Sequence, residues 1–125
     1  MIATLQCTVI DCPDPAALAA FYGAVLGWRV DDSDPEWATL TSADGQRFAF
    51  QLAPDHQPPR WPDPARPQQM HLDFDVPTIE DAERAQQEVI ALGATFLHDS
   101  RGERTGFRVF NDPAGHPFCI CYGQI

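Results

Sequence analysis

The sequence predicts an α+β domain made of two tandem β-α-β-β-β modules, a curved mixed sheet around one shared cavity. Three observations carry that expectation. Several short stretches alternate polar and apolar residues with a period of two, the mark of half-buried strands. Two longer stretches place apolar residues at helical spacing, and each ends on Leu-Gly, at Leu26-Gly27 and again at Leu92-Gly93. Between the halves lies a proline-rich connector, so the chain reads as a duplication. One domain is expected over 1–125, with module one at 1–53, the linker at 54–68 and module two at 69–125.

In the first half, Leu5 to Ile10 reads as a strand with Leu5, Cys7 and Val9 on one side and Thr4, Gln6 and Thr8 on the other. Asp11 to Pro15 breaks it. Asp14 is a good N-cap, Pro15 suits the first helical position, and Leu18, Phe21, Tyr22, Val25 and Leu26 form an apolar helical face closed by Gly27. Strands are then expected at Trp28 to Val30, Trp37 to Thr41 and Arg47 to Leu52, with Asp44-Gly45 as a turn. In the last of these, Phe48, Phe50 and Leu52 oppose Arg47, Ala49 and Gln51.

Six prolines between Pro54 and Pro67 rule out regular structure in the linker. Trp61 within it is expected to fold back, either over the cavity, onto a partner subunit or onto its own domain. Gln69 to Pro77 reads as the central strand, with His71, Asp73 and Asp75 on one face and Leu72, Phe74 and Val76 on the other. Thr78 caps a second helix that turns Ile79, Ala82, Ala85, Val89 and Leu92 inward, and Gly93 ends it. Strands follow at Ala94 to His98, Phe107 to Asn111 and Phe118 to Tyr122, the last two joined by Asp112-Pro113-Ala114-Gly115. Each helix covers one sheet face, and the remaining polar faces are expected to wall the cavity.

Composition narrows the function. A net charge of −10 with pI near 4.5 disfavours nucleic acid and anionic membrane surfaces as partners. All 8 basic residues are Arg, and without Lys no side-chain Schiff base can form. The start of the chain has no basic region ahead of its apolar residues and no apolar run is long enough to span a bilayer, so a soluble, cytoplasmic protein is expected. The 4 cysteines, Cys7, Cys12, Cys119 and Cys121, form no C-x-x-C pair and read as small apolar fillers. Asp73 and Asp75 share a face, where crowding could raise a carboxylate pKa, while Asp75 reads rather as a residue that caps the following helix region or lies in solvent. Arg108 either neutralises those acids or binds an anionic group. His98 is placed at the cavity rim, and His56 and His116 in linker and turn.

The residues Val9 to Asp14 leading to Phe21-Tyr22 and Leu26-Gly27-Trp28, then Met70-His71-Leu72-Asp73, Leu92-Gly93-Ala94 and Asp112 to Gly115 with Phe118, resemble the vicinal oxygen chelate superfamily. The wording is most similar to its glyoxalase-like and bleomycin-resistance-protein-like branches. The resemblance implies the glyoxalase/bleomycin resistance fold. It also implies, in metal-using relatives, ligands on the first, fourth, fifth and eighth strands, which fall here at Thr4, Gln51 (or Ala49), His71 and Cys119. His71 is the one clear match in four, so no metal or other cofactor is expected, with His71, Gln51 and Cys119 as a weak candidate set. Asp73, two residues beyond His71, would sit about 7 Å along the strand.

Two functions stay open. One is a protein that binds a small organic molecule through Gln6, Trp37, Gln51, Trp61, His71, Asp73, Phe110 and Cys119. The other is a divalent-metal-dependent lyase, isomerase or dioxygenase with an altered ligand set. Beside these two stands a non-catalytic reading, an interaction module in a homodimer, which is expected from the resemblance and from exposed sheet edges and would show as a doubled mass in solution.

Overall fold

Asp14 sets the start of the first helix. Its carboxylate accepts from the Ala17 N–H at 3.1 Å, Pro15 follows at N1, and Gly27 closes the helix with φ 69. The computed structural model describes residues 1–125 and divides into two compact units, Met1–Gln57 and Pro58–Ile125. Unit one contains β1 (Thr8–Cys12), α1 (Pro15–Leu26), β2 (Arg29–Asp34), β3 (Trp37–Thr41) and β4 (Arg47–Leu52). Its sheet has the order β1-β4-β3-β2, with β1 parallel to β4 and the other pairs antiparallel. Tyr22 of α1 stacks on Phe50 at 6.0 Å, so Phe48, Phe50 and Leu52 face the helix together with Ala38 and Leu40. Arg47, Ala49 and Gln51 point to the other side, as their alternation predicts.

The first strand corrects the sequence expectation. It begins at Thr8 and runs through Cys12, because its ladder is set by β4, from Thr8 opposite Phe48 to Cys12 opposite Leu52. Residues ahead of Thr8 have no partner strand, and Leu5 is 88% exposed. The shift also changes which face is which. Thr8, Ile10 and Cys12 lie on the α1 side, whereas Val9 and Asp11 share the opposite face with Ala49 and Gln51.

Unit two repeats the pattern with β5 (Leu72–Val76), α2 (Ile79–Ala91), β6 (Thr95–Asp99), β7 (Gly106–Asn111) and β8 (Pro117–Tyr122), in the order β5-β8-β7-β6. Thr78 caps α2 as expected, within a reciprocal capping box with Asp81. Ala82 and Val89 are buried, but Leu92 is 44% exposed, because α2 stops at Ala91 and Leu92 leads out of it. On the α2 side of the sheet, Phe110 stacks on Phe118 at 5.3 Å and meets Phe96 edge-on at 5.7 Å. Arg108 shares this face. It donates to Glu83 and Gln86 of α2, both at 2.8 Å, and lies 3.6 Å from Asp99. It therefore does not reach Asp73 or Asp75, which alternate to the opposite side of β5; the parity of β7 relative to β8 decides this.

The proline-rich connector carries no helix or strand between Ala53 and His71. Trp61 does fold back, onto the Val109, Cys119 and Cys121 cluster of its own unit, with its ring 5.7 Å from His98.

Candidate functional site

Two groups of polar residues emerge, one in each unit. In unit two, parallel pairing places Asp73 beside Cys119 and Asp75 beside Cys121, and antiparallel pairing continues the first row through Val109 to His98. A register shift between Phe96 and His98 moves His98 onto this face. His71 lies just ahead of β5 and turns its Nε2 to within 3.3 Å of the Asp73 carboxylate. Spacing along the strand suggested a wider gap, but the imidazole's length and the freedom of a residue outside the ladder close it. The donor atoms of His71, Asp73 and Cys119 all lie within 4.8 Å of one another.

Electrostatics in this group bear on the thiols. Burial under Trp61 and Leu97, reinforced by the adjacent Asp73 carboxylate, pushes Cys119 up to about 12. Cys121 is raised by burial and then by the charges of Asp73 and Asp75. Both sulfurs are thus held as neutral thiols at ordinary pH, and neither is an activated nucleophile.

In unit one, Trp37 and Gln51 are direct cross-strand partners, so their side chains stand next to each other on the face away from α1. They line a depression of about 300 Å³ with Asp34, Glu36, Leu52 and Pro54. The β2–β3 turn shapes its rim. One Asp34 carboxylate oxygen accepts from the Glu36 N–H at 2.9 Å, and the Glu36 carbonyl accepts from Leu52 N–H at 2.9 Å, tying the turn to the end of β4. Asp34 and Glu36 were not among the residues the sequence pointed to. Their signal was the run of acids from Asp31 to Glu36 immediately before Trp37, legible only as a solvated hairpin until β4 supplied the neighbouring wall.

The structure therefore groups Trp37 with Gln51, and His71 with Asp73, Cys119 and Trp61. It does not bring in the other two residues expected at the site. Gln6 is exposed ahead of β1, outside the depression. Phe110 is fully buried on the α2 side, a core residue rather than an aromatic wall, because β7 and β8 pair with Phe110 opposite Phe118 while Cys119 pairs with Val109.

A family model described as a glyoxalase-like domain matches residues 7–121. The chain belongs to that family. It is accordingly a glyoxalase-like domain of the vicinal oxygen chelate superfamily, as its residues suggested. Among solved structures it is similar to a glyoxalase/bleomycin resistance protein/dioxygenase family enzyme from Burkholderia phytofirmans PsJN, at 22% identity and TM-score 0.73 over 96% of this chain and 98% of that one. A glyoxalase-related enzyme from Fulvimarina pelagi matches at 20% identity and TM-score 0.71, over 97% and 88% of the two chains. A glyoxalase/dioxygenase from Nostoc punctiforme matches at 21% and 0.68, over 97% and 91%. At these identities the likeness shows a shared fold of two tandem modules with unclosed four-stranded sheets. No curated protein matches the sequence. No helix of this glyoxalase-like domain is long and apolar enough to cross a membrane.

Proposed function

We propose that this glyoxalase-like domain binds a small organic molecule at the depression on its first unit, without the four-ligand metal site of metal-using relatives. The observation that carries the reading is the pairing of Trp37 with Gln51 across β3 and β4 over a hollow of about 300 Å³. An aromatic face beside an amide gives one apolar contact and one orienting hydrogen-bond group, the usual division of labour in a small-ligand site. The carried-over metal positions support the second clause. Thr4 lies exposed in the segment ahead of β1 and offers only a hydroxyl, and the eighth-strand position holds a buried neutral thiol where relatives carry a carboxylate. Those residues do not fit the family's site.

Thermal melting against a panel of small organic compounds tests the reading. A compound present at about a hundred times its Kd adds about 2.7 kcal/mol, a rise in Tm of roughly 10 °C for a domain of this size. Trp37→Ala is expected to erase the rise. A panel without any stabilising compound, or a rise that survives that substitution, removes the depression as the binding site.

One observation favours a second reading, a cation held by an altered set. Two ligands at about 2.1 Å from a tetrahedral ion stand roughly 3.4 Å apart, and His71 and Asp73 are 3.3 Å apart with the Cys119 sulfur close by. The set differs from the one the sequence offered, since Asp73 rather than Gln51 accompanies His71 and Cys119 within one unit. Titration with cobalt(II) separates the readings. A thiolate-to-cobalt absorption band that Cys119→Ser and His71→Ala each abolish supports the cation, and its absence at millimolar cobalt argues against one.

A further inference from the structure

The depression on unit one carries a charge pattern that specifies more than size. Its two ionisable lining residues, Asp34 and Glu36, are both acids, and neither takes part in an ion pair. One Asp34 oxygen accepts from the Glu36 N–H, and both residues are exposed at the rim. No basic residue lines the hollow. The only arginines of the unit, Arg29 and Arg47, both pair with Thr41 at the far end of β3. Trp37 and Thr41 are separated by four strand positions, about 13 Å, which exceeds the Debye length of about 8 Å at physiological salt. Trp37 pairs with Asp34 on one side and with Gln51 on the other and lines the hollow, and its indole is the aromatic ring that attracts cations most strongly over its face.

We infer that the depression is selective for small organic cations, ammonium or quaternary ammonium compounds whose charged head meets Asp34 and Glu36 while their body lies on Trp37. Anions are repelled by the same two carboxylates. A metal ion is a poor match, because an indole offers it no donor and Asp34 has one oxygen already committed. This inference rests on the small-molecule reading above and names the class of ligand for that same hollow.

Nuclear magnetic resonance titration of the intact chain tests it, with benzyltrimethylammonium as the cation, benzenesulfonate as the anion, benzyl alcohol as the neutral probe and calcium as the metal. The Trp37 indole and the Gln51 side-chain amide are the reporters, assigned through Trp37→Phe and Gln51→Glu. Benzyltrimethylammonium is expected to shift both signals and to bind at least ~5-fold more tightly than the other probes. Raising sodium chloride from about 10 mM to about 150 mM should weaken it several-fold. The double variant Asp34→Asn, Glu36→Gln keeps an oxygen at residue 34 to accept the Glu36 N–H and should lose most of the selectivity. Equal or tighter binding of benzenesulfonate, benzyl alcohol or calcium, or undiminished cation selectivity in the double variant, overturns the inference while leaving a small-molecule site in place. If none of the four probes moves either reporter, the inference and the binding reading beneath it both fall.

Discussion

Phe110→Ala is expected to cost about 3–5 kcal/mol, the range for truncating a fully buried aromatic. The ring is 0% exposed, stacked on Phe118 at 5.3 Å and closed from the other side by Phe96. Losing it empties a volume that β7, β8 and α2 cannot fill by a rotamer change, since Arg108 one turn of the pleat away is held by Glu83 and Gln86. For a chain of 125 residues this corresponds to a fall in Tm of roughly 12–20 °C. Urea unfolding with Phe110→Leu as the milder companion measures it. A loss below about 1 kcal/mol would mean that the residue is not in the core, and would restore it as a surface or cavity residue.

Alkylation of Cys119 should be slow by a comparably large factor. A thiol raised from the ordinary 9.0 to about 12 carries a thiolate fraction about a thousand times smaller at pH 8. Since the thiolate is the nucleophile, iodoacetamide labelling of the folded chain at that sulfur should lag behind unfolded chain by a similar factor, beyond the shielding that Trp61 provides. Peptide mapping by mass spectrometry reads out each of the four cysteines separately. The same shift links to stability. The folded state keeps the proton that the unfolded state releases near 9.0, so the contribution is complete below that pH and is lost as pH rises toward 12. Denaturation midpoints measured from pH 7 upward should fall above about 9, and Cys119→Ala should flatten that fall. Labelling of Cys119 as fast as that of Cys7, the least buried of the four, would contradict the account.

Much of the fold was legible because its determinants are local. Asp14, Pro15 and Gly27 mark the ends of α1 by capping chemistry, and Thr78 marks the start of α2 in the same way. The turn at Asp112 to Gly115 closes as its composition predicts, with the Asp112 side chain accepting from the Ala114 and His116 N–H groups and Gly115 at φ 91. The first strand was displaced because the segment Leu5 to Cys12 alternates tolerably in more than one register, and the pairing with β4 selected Thr8 to Cys12. Arg108 and Phe110 were read toward the site for a related reason. Apolar residues stand on both faces of their strand, Phe107 and Val109 on one and Phe110 on the other, so alternation could not say which face meets α2.

The amino-acid sequence by itself determined the two-fold repeat of β-α-β-β-β, the helix boundaries, the absence of lysine chemistry and the family, all of which depend on residue type, spacing and chain order. Tertiary structure alone decided which side chains became neighbours. It set Asp34 and Glu36 against Trp37, and folded His71 back onto Asp73 beside a buried Cys119. The physical reason is that strand register and turn geometry are fixed by contacts between distant segments, and a displacement of one residue reverses the face on which every side chain lies.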